Sequence, residues 1–204
     1  ELEQCLQHGL DVVKFFPAEN CGGLKFIKAL SGPYANVRFM PTGGINLDIL
    51  TDYLSDPHIL ACGGTWMVSS ALIDSGEFAE IERLSRNAVS AILGIKLAHV
   101  GVNTENESEA RAAANLVCSL FDLELRDGAS VFAGTSVEFL KTPYLGRHGH
   151  IAFSTRDLDR AVASFRRRGI SFNEESAKYL ADGRLNAIYF ADEVAGFAVH
   201  LVRA

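Results

Sequence analysis

The sequence of 204 residues contains no apolar stretch reaching the ~18 residues needed to span a bilayer, so no membrane partner is expected. It also lacks a basic run long enough to follow a phosphate backbone. The formal net charge is −6, and Arg166-Arg-Arg168 falls on an amphipathic helical pattern where it reads as a solvated face. A nucleic-acid surface is therefore not expected. Four cysteines, Cys5, Cys21, Cys62 and Cys118, show no CxxC spacing, which fits reduced thiols in a cytoplasmic protein. No initiating Met, signal peptide or targeting segment is visible, and Glu1 to Gly9 reads as a helix end with a glycine cap, so a piece of a longer chain is expected. What is present, 48% hydrophobic and 22% charged residues, describes a globular chain with room for one or two domains.

Asp11-Val-Val-Lys-Phe-Phe-Pro17 places one lysine inside an apolar run that reads as a buried parallel strand. Burial disfavours an ammonium ion, so Lys14 is a candidate Schiff-base nucleophile. The alternative is a lysine that snorkels to the strand end. Two further strand patterns, Val37 to Ile45 and Ile59 to Met67, each run into paired glycines. Glycine lets the backbone approach a ligand closely, and successive N–H groups there can cradle an anion. In a (β/α)8 barrel, phosphate commonly sits at the loops after the seventh and eighth strands.

With these words in place, residues 1 to about 93 resemble the C-terminal part of a 2-keto-3-deoxy-6-phosphogluconate aldolase, a family also assigned 4-hydroxy-2-oxoglutarate aldolase activity. The likeness rests on Val-Lys-Phe-Phe-Pro-Ala-Glu19, Ala-Leu-Ser-Gly-Pro-Tyr34, Arg-Phe-Met-Pro-Thr-Gly-Gly-Ile45 and Gly-Gly-Thr-Trp-Met67. It implies that Lys14 forms the Schiff base with pyruvate or the keto acid. It implies also that the turns carrying Thr42, Gly43 and Gly44 and carrying Gly64 and Thr65 bind phosphate, with Thr65 standing where the family has serine. A homotrimer is implied as well. The family's glutamate, its general acid and base, has no counterpart here, and three strand-helix units stand where a barrel needs eight. The residues are thus not expected to be a competent aldolase alone. A partial barrel would expose sheet edges and an apolar inner face, so without the missing segment the chain is expected to associate, swap strands or be only partly ordered.

A helical pattern over Phe78 to Leu93, capped by Gly94, closes this part, and a different rhythm follows. The predicted domains are 1–94 and 95–204. The second contains an internal echo of two βαβββ modules, one opening at Ala98-His-Val-Gly-Val-Asn-Thr104 and the other at Gly149-His-Ile-Ala-Phe-Ser-Thr155. The fold class expected overall is a partial (β/α)8 barrel, its last three strand-helix units, followed by an α+β domain of two βαβββ modules. His99, Glu138, His150 and His200 recur at corresponding first and last strands. Singly, each would read as a half-buried strand residue bonded to a neighbour; together they make a candidate first shell for a divalent metal such as Zn, Mn, Fe, Co or Ni.

Leu97-Ala-His-Val-Gly-Val102, His150-Ile-Ala-Phe with Asp157-Leu-Asp-Arg-Ala161, and Ala187 to Asp192 with Gly196 to Leu201 resemble the vicinal oxygen chelate superfamily, which includes glyoxalase I, extradiol dioxygenases and methylmalonyl-CoA epimerase. Its ligands map onto His99, Glu138 and His150. His200 departs from the glutamate of many members, which removes a glyoxalase-type proton carrier. Arg126, Asp127, Tyr144, Arg147, His148, Lys178 and Tyr179 are weaker candidates for the module's cup or rim, with His148 read as a loop residue. Asp157 and Asp159 read as helix caps, and His8 and His58 lie outside the metal set.

Three functions fit these residues. One is a class I aldolase that cleaves a 2-keto-3-deoxy phosphosugar acid or 4-hydroxy-2-oxoglutarate to pyruvate and an aldehyde, with a fused chelate domain. The second is a metal-dependent isomerase or lyase acting on a small α-oxo or α-hydroxy acid. The third is a noncatalytic domain that senses a metabolite.

Overall fold

In the computed structural model, which describes all residues from Glu1 to Ala204, the chain divides into two compact units, Glu1–Ile92 and Leu93–Ala204. The division falls two residues before the expected boundary at 94. Leu93 is buried with Leu158 and Leu201, and that apolar contact assigns the helix terminus to the second unit.

The first unit opens with α1 (Leu2–Gln7), then β1 (Val12–Phe15), a 3-10 turn, α2 (Gly23–Ser31) and β2 (Arg38–Pro41). β1 and β2 run parallel, with Val13 beside Phe39 and Lys14 beside Met40. After α3 (Leu47–Leu54) comes the expected third strand, which is not a continuous ladder. Residues 59–63 join β2 only through bridges from Phe39 to Ile59 and from Thr42 to Gly63. Pro41 accepts from the Gly63 N–H at 2.9 Å but has no N–H to return, which interrupts the pairing. α4 (Ser70–Asp74) and α5 (Phe78–Leu93) follow. Asn46 caps α3 by accepting from the Asp48 and Ile49 N–H groups, and Ser69 caps α4 in the same manner through Leu72.

The strands of this unit alternate between two environments. Val13 and Phe39 point into a core with Ile27, Leu50 and Tyr53, contributed by α2 and α3. On the other face Met40 is 40% exposed and Phe16, just beyond β1, is 65% exposed, while Lys14 is exposed too. The expectation that burial would desolvate Lys14 is therefore corrected. Only two strands pair in this sheet and no buried layer covers the Lys14 side of β1, so the lysine side chain stays exposed.

The second unit is an eight-stranded sheet in the order β4-β5-β6-β3-β7-β10-β9-β8. Its first module is β3 (Lys96–Asn103), α6 (Glu107–Phe121), β4 (Leu125–Asp127), β5 (Val131–Ala133) and β6 (Val137–Leu140). The second is β7 (Gly149–Thr155), α7 (Leu158–Arg167), β8 (Phe172–Tyr179), β9 (Leu185–Val194) and β10 (Phe197–Arg203). Each module pairs its first strand parallel to its last, β3 to β6 and β7 to β10, and the two modules join antiparallel through β3 and β7. Asn106 and Asp157 cap the two helices through the N–H groups of Glu109 and Arg160. Asp159 does not cap; it pairs with Arg203 at 2.9 Å.

Both helices cover one face of this sheet. Val131, Ala133 and Phe139 pack with Ala110 and Ala114 of α6, and Ile188 and Leu201 pack with Leu158, Ala161 and Val162 of α7. Alternation sends the neighbouring residues, Phe132, Glu138, Tyr189 and His200, to the opposite face, which carries no helix. All four cysteines are free thiols, and no helix is long and apolar enough to cross a membrane.

The open face of β1 and β2 generates a prediction. Light scattering should detect concentration-dependent association of this chain, reduced in Met40→Lys; a compact monomer across the concentration range would contradict it.

Candidate functional site

In the first unit, the carboxyl ends of β1 and β2 and the segment at Gly63 meet. The Ala18 N–H donates to the Thr42 carbonyl at 2.8 Å, and the Glu19 N–H to that of Gly43 at 3.1 Å. Gly43 and Gly44 have φ of +101° and +81°, a left-handed backbone that favours glycine. A Cβ on Gly44 would lie 2.7 Å from Glu19 side-chain carbons, and one on Gly64 would overlap the Trp66 ring at 1.8 Å. Glu19 in turn accepts from the Tyr53 hydroxyl. The turn bearing Thr42, Gly43 and Gly44 thus lies against the segment that leads to Gly64 and Thr65.

Lys14 is tied to the same end of the sheet through Phe16. Its Nζ lies 5.5 Å from the centre of the Phe16 ring, and a Cβ on Gly43 would meet that ring at 3.1 Å. Lys14 is exposed, so its amine is accessible. Cys62 sits beside the second turn, where burial pushes its thiol up to about 11.

In the second unit, the sheet register brings His99, Glu138, His150 and His200 onto the helix-free face. Gly101 of β3 is opposite both Glu138 of β6 and His150 of β7, and His200 of β10 is opposite Ala152 of β7. Glu138 Oε2 lies 3.2 Å from His99 Nε2 and 3.0 Å from His150 Nε2, and the two imidazole nitrogens are 3.1 Å apart. His99, His150 and His200 each offer a ligand atom within 4.8 Å of the others.

Burial sharpens the chemistry of this cluster. His150 is 4% exposed and His200 is 7% exposed, yet His150 Nδ1 and both His200 nitrogens have no hydrogen-bond partner. An unsatisfied buried polar atom costs about 1–3 kcal/mol, so the fold tolerates a loss here that a bound ligand would recover. Burial, then the charges of His150 and His99, push His200 down to about 3, against a smaller opposing effect of Glu138. Burial pushes the Glu138 carboxyl up, but hydrogen bonds from His150, His99 and Ser130 outweigh it and hold the group below the usual carboxylate range. His200 is thus neutral beside the ionised Glu138 carboxylate, a protonation state suited to metal ligands. Tetrahedral bonds of about 2.0–2.1 Å would hold ligand atoms about 3.3 Å apart, close to the separations among Glu138, His99 and His150. The residues therefore fit a divalent cation.

Other groups complete the site. Gly101 is essential to its shape, because a Cβ there would stand 2.1 Å from the His150 ring. The Tyr189 ring stacks on His200 at 4.4 Å and 10°, and the Ser130 hydroxyl donates to Glu138. Gly101 is signalled in sequence as a glycine interrupting a strand. Ser130 has no such signal, because its approach to Glu138 depends on the β5–β6 pairing. A cavity of about 360 Å³ opens over the cluster and includes Tyr144 and Lys178 of the weaker candidates. The others stand elsewhere: Arg126 pairs with Glu124, Asp127 with Arg111 and Lys141, and Arg147 with the ring of His148, which is an exposed loop residue. Tyr179 is exposed outside the cavity, and His58 bonds Asp56 in the first unit.

Residues 1–84 match the family model for KDPG and KHG aldolase. The 2-dehydro-3-deoxy-phosphogluconate aldolase of Haemophilus influenzae is 53% identical over 91 residues, which cover 45% of this chain and 43% of that protein. The KHG/KDPG aldolase of Escherichia coli is 43% identical over 89 residues, covering 44% of this chain and 42% of that protein. The chain thus spans less than half the length of these relatives. Among solved structures, a KDPG aldolase from Legionella pneumophila, with pyruvate captured as a covalent carbinolamine, is 38% identical with a TM-score of 0.40, over 41% of this chain and 40% of its own. Methylmalonyl-CoA epimerase from Streptomyces coelicolor is similar over 53% of this chain and 94% of its own, with 15% identity and a TM-score of 0.39.

The gap over Gly101 is testable directly. Gly101→Ala is expected to cost about 1–3 kcal/mol in urea unfolding, because the new methyl group must displace the His150 imidazole. Unchanged stability would show that the ring can move aside freely.

Proposed function

We propose that the first unit is the carboxyl-terminal part of a class I aldolase barrel, acting on 2-keto-3-deoxy-6-phosphogluconate or 4-hydroxy-2-oxoglutarate, and that the second is a metal-binding domain of the vicinal oxygen chelate type. The observation supporting the first reading is the convergence of Lys14 with the Thr42-Gly43-Gly44 turn at the carboxyl ends of parallel strands. In this reading the Lys14 amine attacks the C2 carbonyl of the keto acid, and water leaves to form an iminium ion. Loss of the C4 hydroxyl proton then breaks the C3–C4 bond and releases the aldehyde. The electron pair from that bond forms an enamine, which takes up a proton at C3. Water finally hydrolyses the iminium to pyruvate and restores the amine. Gly43, Gly44, Gly64 and Thr65 would hold the substrate phosphate when one is present.

Cleavage also requires a positioned proton acceptor and a wall that excludes water from Lys14. Both belong to barrel strands outside these residues, so the chain alone is an inactive aldolase in this account. A longer chain restoring those strands should trap pyruvate covalently under borohydride reduction, and Lys14→Ala should abolish the adduct. Trapping that persists in the variant would sink the assignment.

The second reading is favoured by the buried, unpartnered nitrogens of His150 and His200 beside Glu138. His99, Glu138, His150 and His200 would hold Zn, Mn, Fe, Co or Ni, which would supply Lewis acidity toward an α-oxo or α-hydroxy acid. Ser130 fixes the Glu138 carboxylate, and Tyr189 fixes the plane of His200. The domain would act as an isomerase or lyase. Elemental mass spectrometry should find about one divalent metal per purified chain and none in the His150→Ala, His200→Ala double variant. A wild-type chain that stays metal-free after reconstitution would overturn this reading.

A further inference from the structure

The cavity over the histidine cluster contains two lysines with different surroundings. Lys141 is neutralised by Glu107 at 3.1 Å and Asp127 at 3.0 Å, both outside the cavity lining. Lys178 pairs with no carboxylate; its Nζ stands 5.7 Å from the centre of the Tyr144 ring, and both residues line the cavity while remaining exposed, which puts them at its mouth. The register explains why it faces the cluster. Lys178 of β8 is opposite Ala187 of β9, Tyr189 lies two residues along the same face, and Tyr189 is opposite His200 of β10.

Resting on the metal-binding reading of the second unit, the geometry points to Lys178 as the residue that makes this cavity select a ligand with two anionic ends, a 2-oxo or 2-hydroxy dicarboxylic acid. A divalent cation held by neutral imidazoles and one carboxylate leaves one positive charge at the cluster, which matches the near carboxylate and its adjacent oxygen. Lys178 supplies a second, separate positive charge at the mouth, which matches a carboxylate at the far end of a short chain. A cavity of about 360 Å³ is near the lower limit for small-molecule sites, as such a ligand requires. Tyr144, whose ring lies under the ammonium group, limits where the lysine can reach.

The test is isothermal titration of the zinc-loaded full chain with 2-oxoglutarate and with 2-oxopentanoate, which carries a methyl group in place of the second carboxylate. Wild type should bind the diacid at least about tenfold more tightly. Lys178→Gln should remove that preference while keeping its zinc and its affinity for the monoacid, and Lys141→Gln should retain the preference. A preference that survives Lys178→Gln, or none in wild type, overturns the inference with the metal reading intact. If wild type holds no zinc, the metal reading falls, and the same titration on the metal-free chain decides the role of Lys178. Equal binding of both acids, or binding of neither, then overturns it.

Discussion

The antiparallel join between β3 and β7 is the constraint on which the second unit depends. Each βαβββ module closes on itself by pairing its first strand with its last, leaving one free edge on β3 and one on β7. Joining those edges completes the ladder and places β6, β3, β7 and β10 side by side. These four strands carry Glu138, His99, His150 and His200. A slip of one residue at the join would turn the β3 residues to the helix face, among apolar side chains. The apolar packing under α6 and α7 thus determines the register, and the register assembles the polar cluster.

Glycine at position 101 shows how closely backbone and site are coupled. The His150 imidazole lies across the strand where any side chain on residue 101 would stand. This space lets His150 Nε2 approach both His99 Nε2 and Glu138 Oε2 while the ring stays buried. Three imidazole nitrogens left without partners give the cluster an unfavourable free energy that the surrounding sheet must offset. Such an arrangement is costly as mere packing, and that cost is what supports its reading as a ligand set.

The first unit follows a different logic, in which parallel strands bring their carboxyl ends together. Backbone bonds from Ala18 to Thr42 and from Gly63 to Pro41 gather the glycine turns whatever happens farther round the sheet. The environment of Lys14 is not local in this sense. A strand residue facing inward is desolvated only when another strand stands opposite, and β1 has β2 alone as its ladder partner. Lys14 therefore stands exposed, without the dry surroundings that the proposed nucleophile would need.

Periodicity and spacing in the amino-acid sequence determined the helices at Phe78–Leu93, Glu107–Phe121 and Leu158–Arg167, the two-module repeat, and the strands carrying His99, Glu138, His150 and His200. These are local properties, written in alternation, caps and recurring words, and so they are legible one segment at a time. Only the tertiary structure decided that the third segment of the first unit pairs through isolated bridges, that Lys14 is exposed, and that Leu93 packs in the second core. It alone decided that Ser130 reaches Glu138, that Tyr189 stacks on His200, and that Lys178, rather than Arg126 or Asp127, lines the cavity. Burial, hydrogen-bond partners and charge pairing arise between residues far apart in the chain, and no local pattern encodes which of several polar side chains will meet.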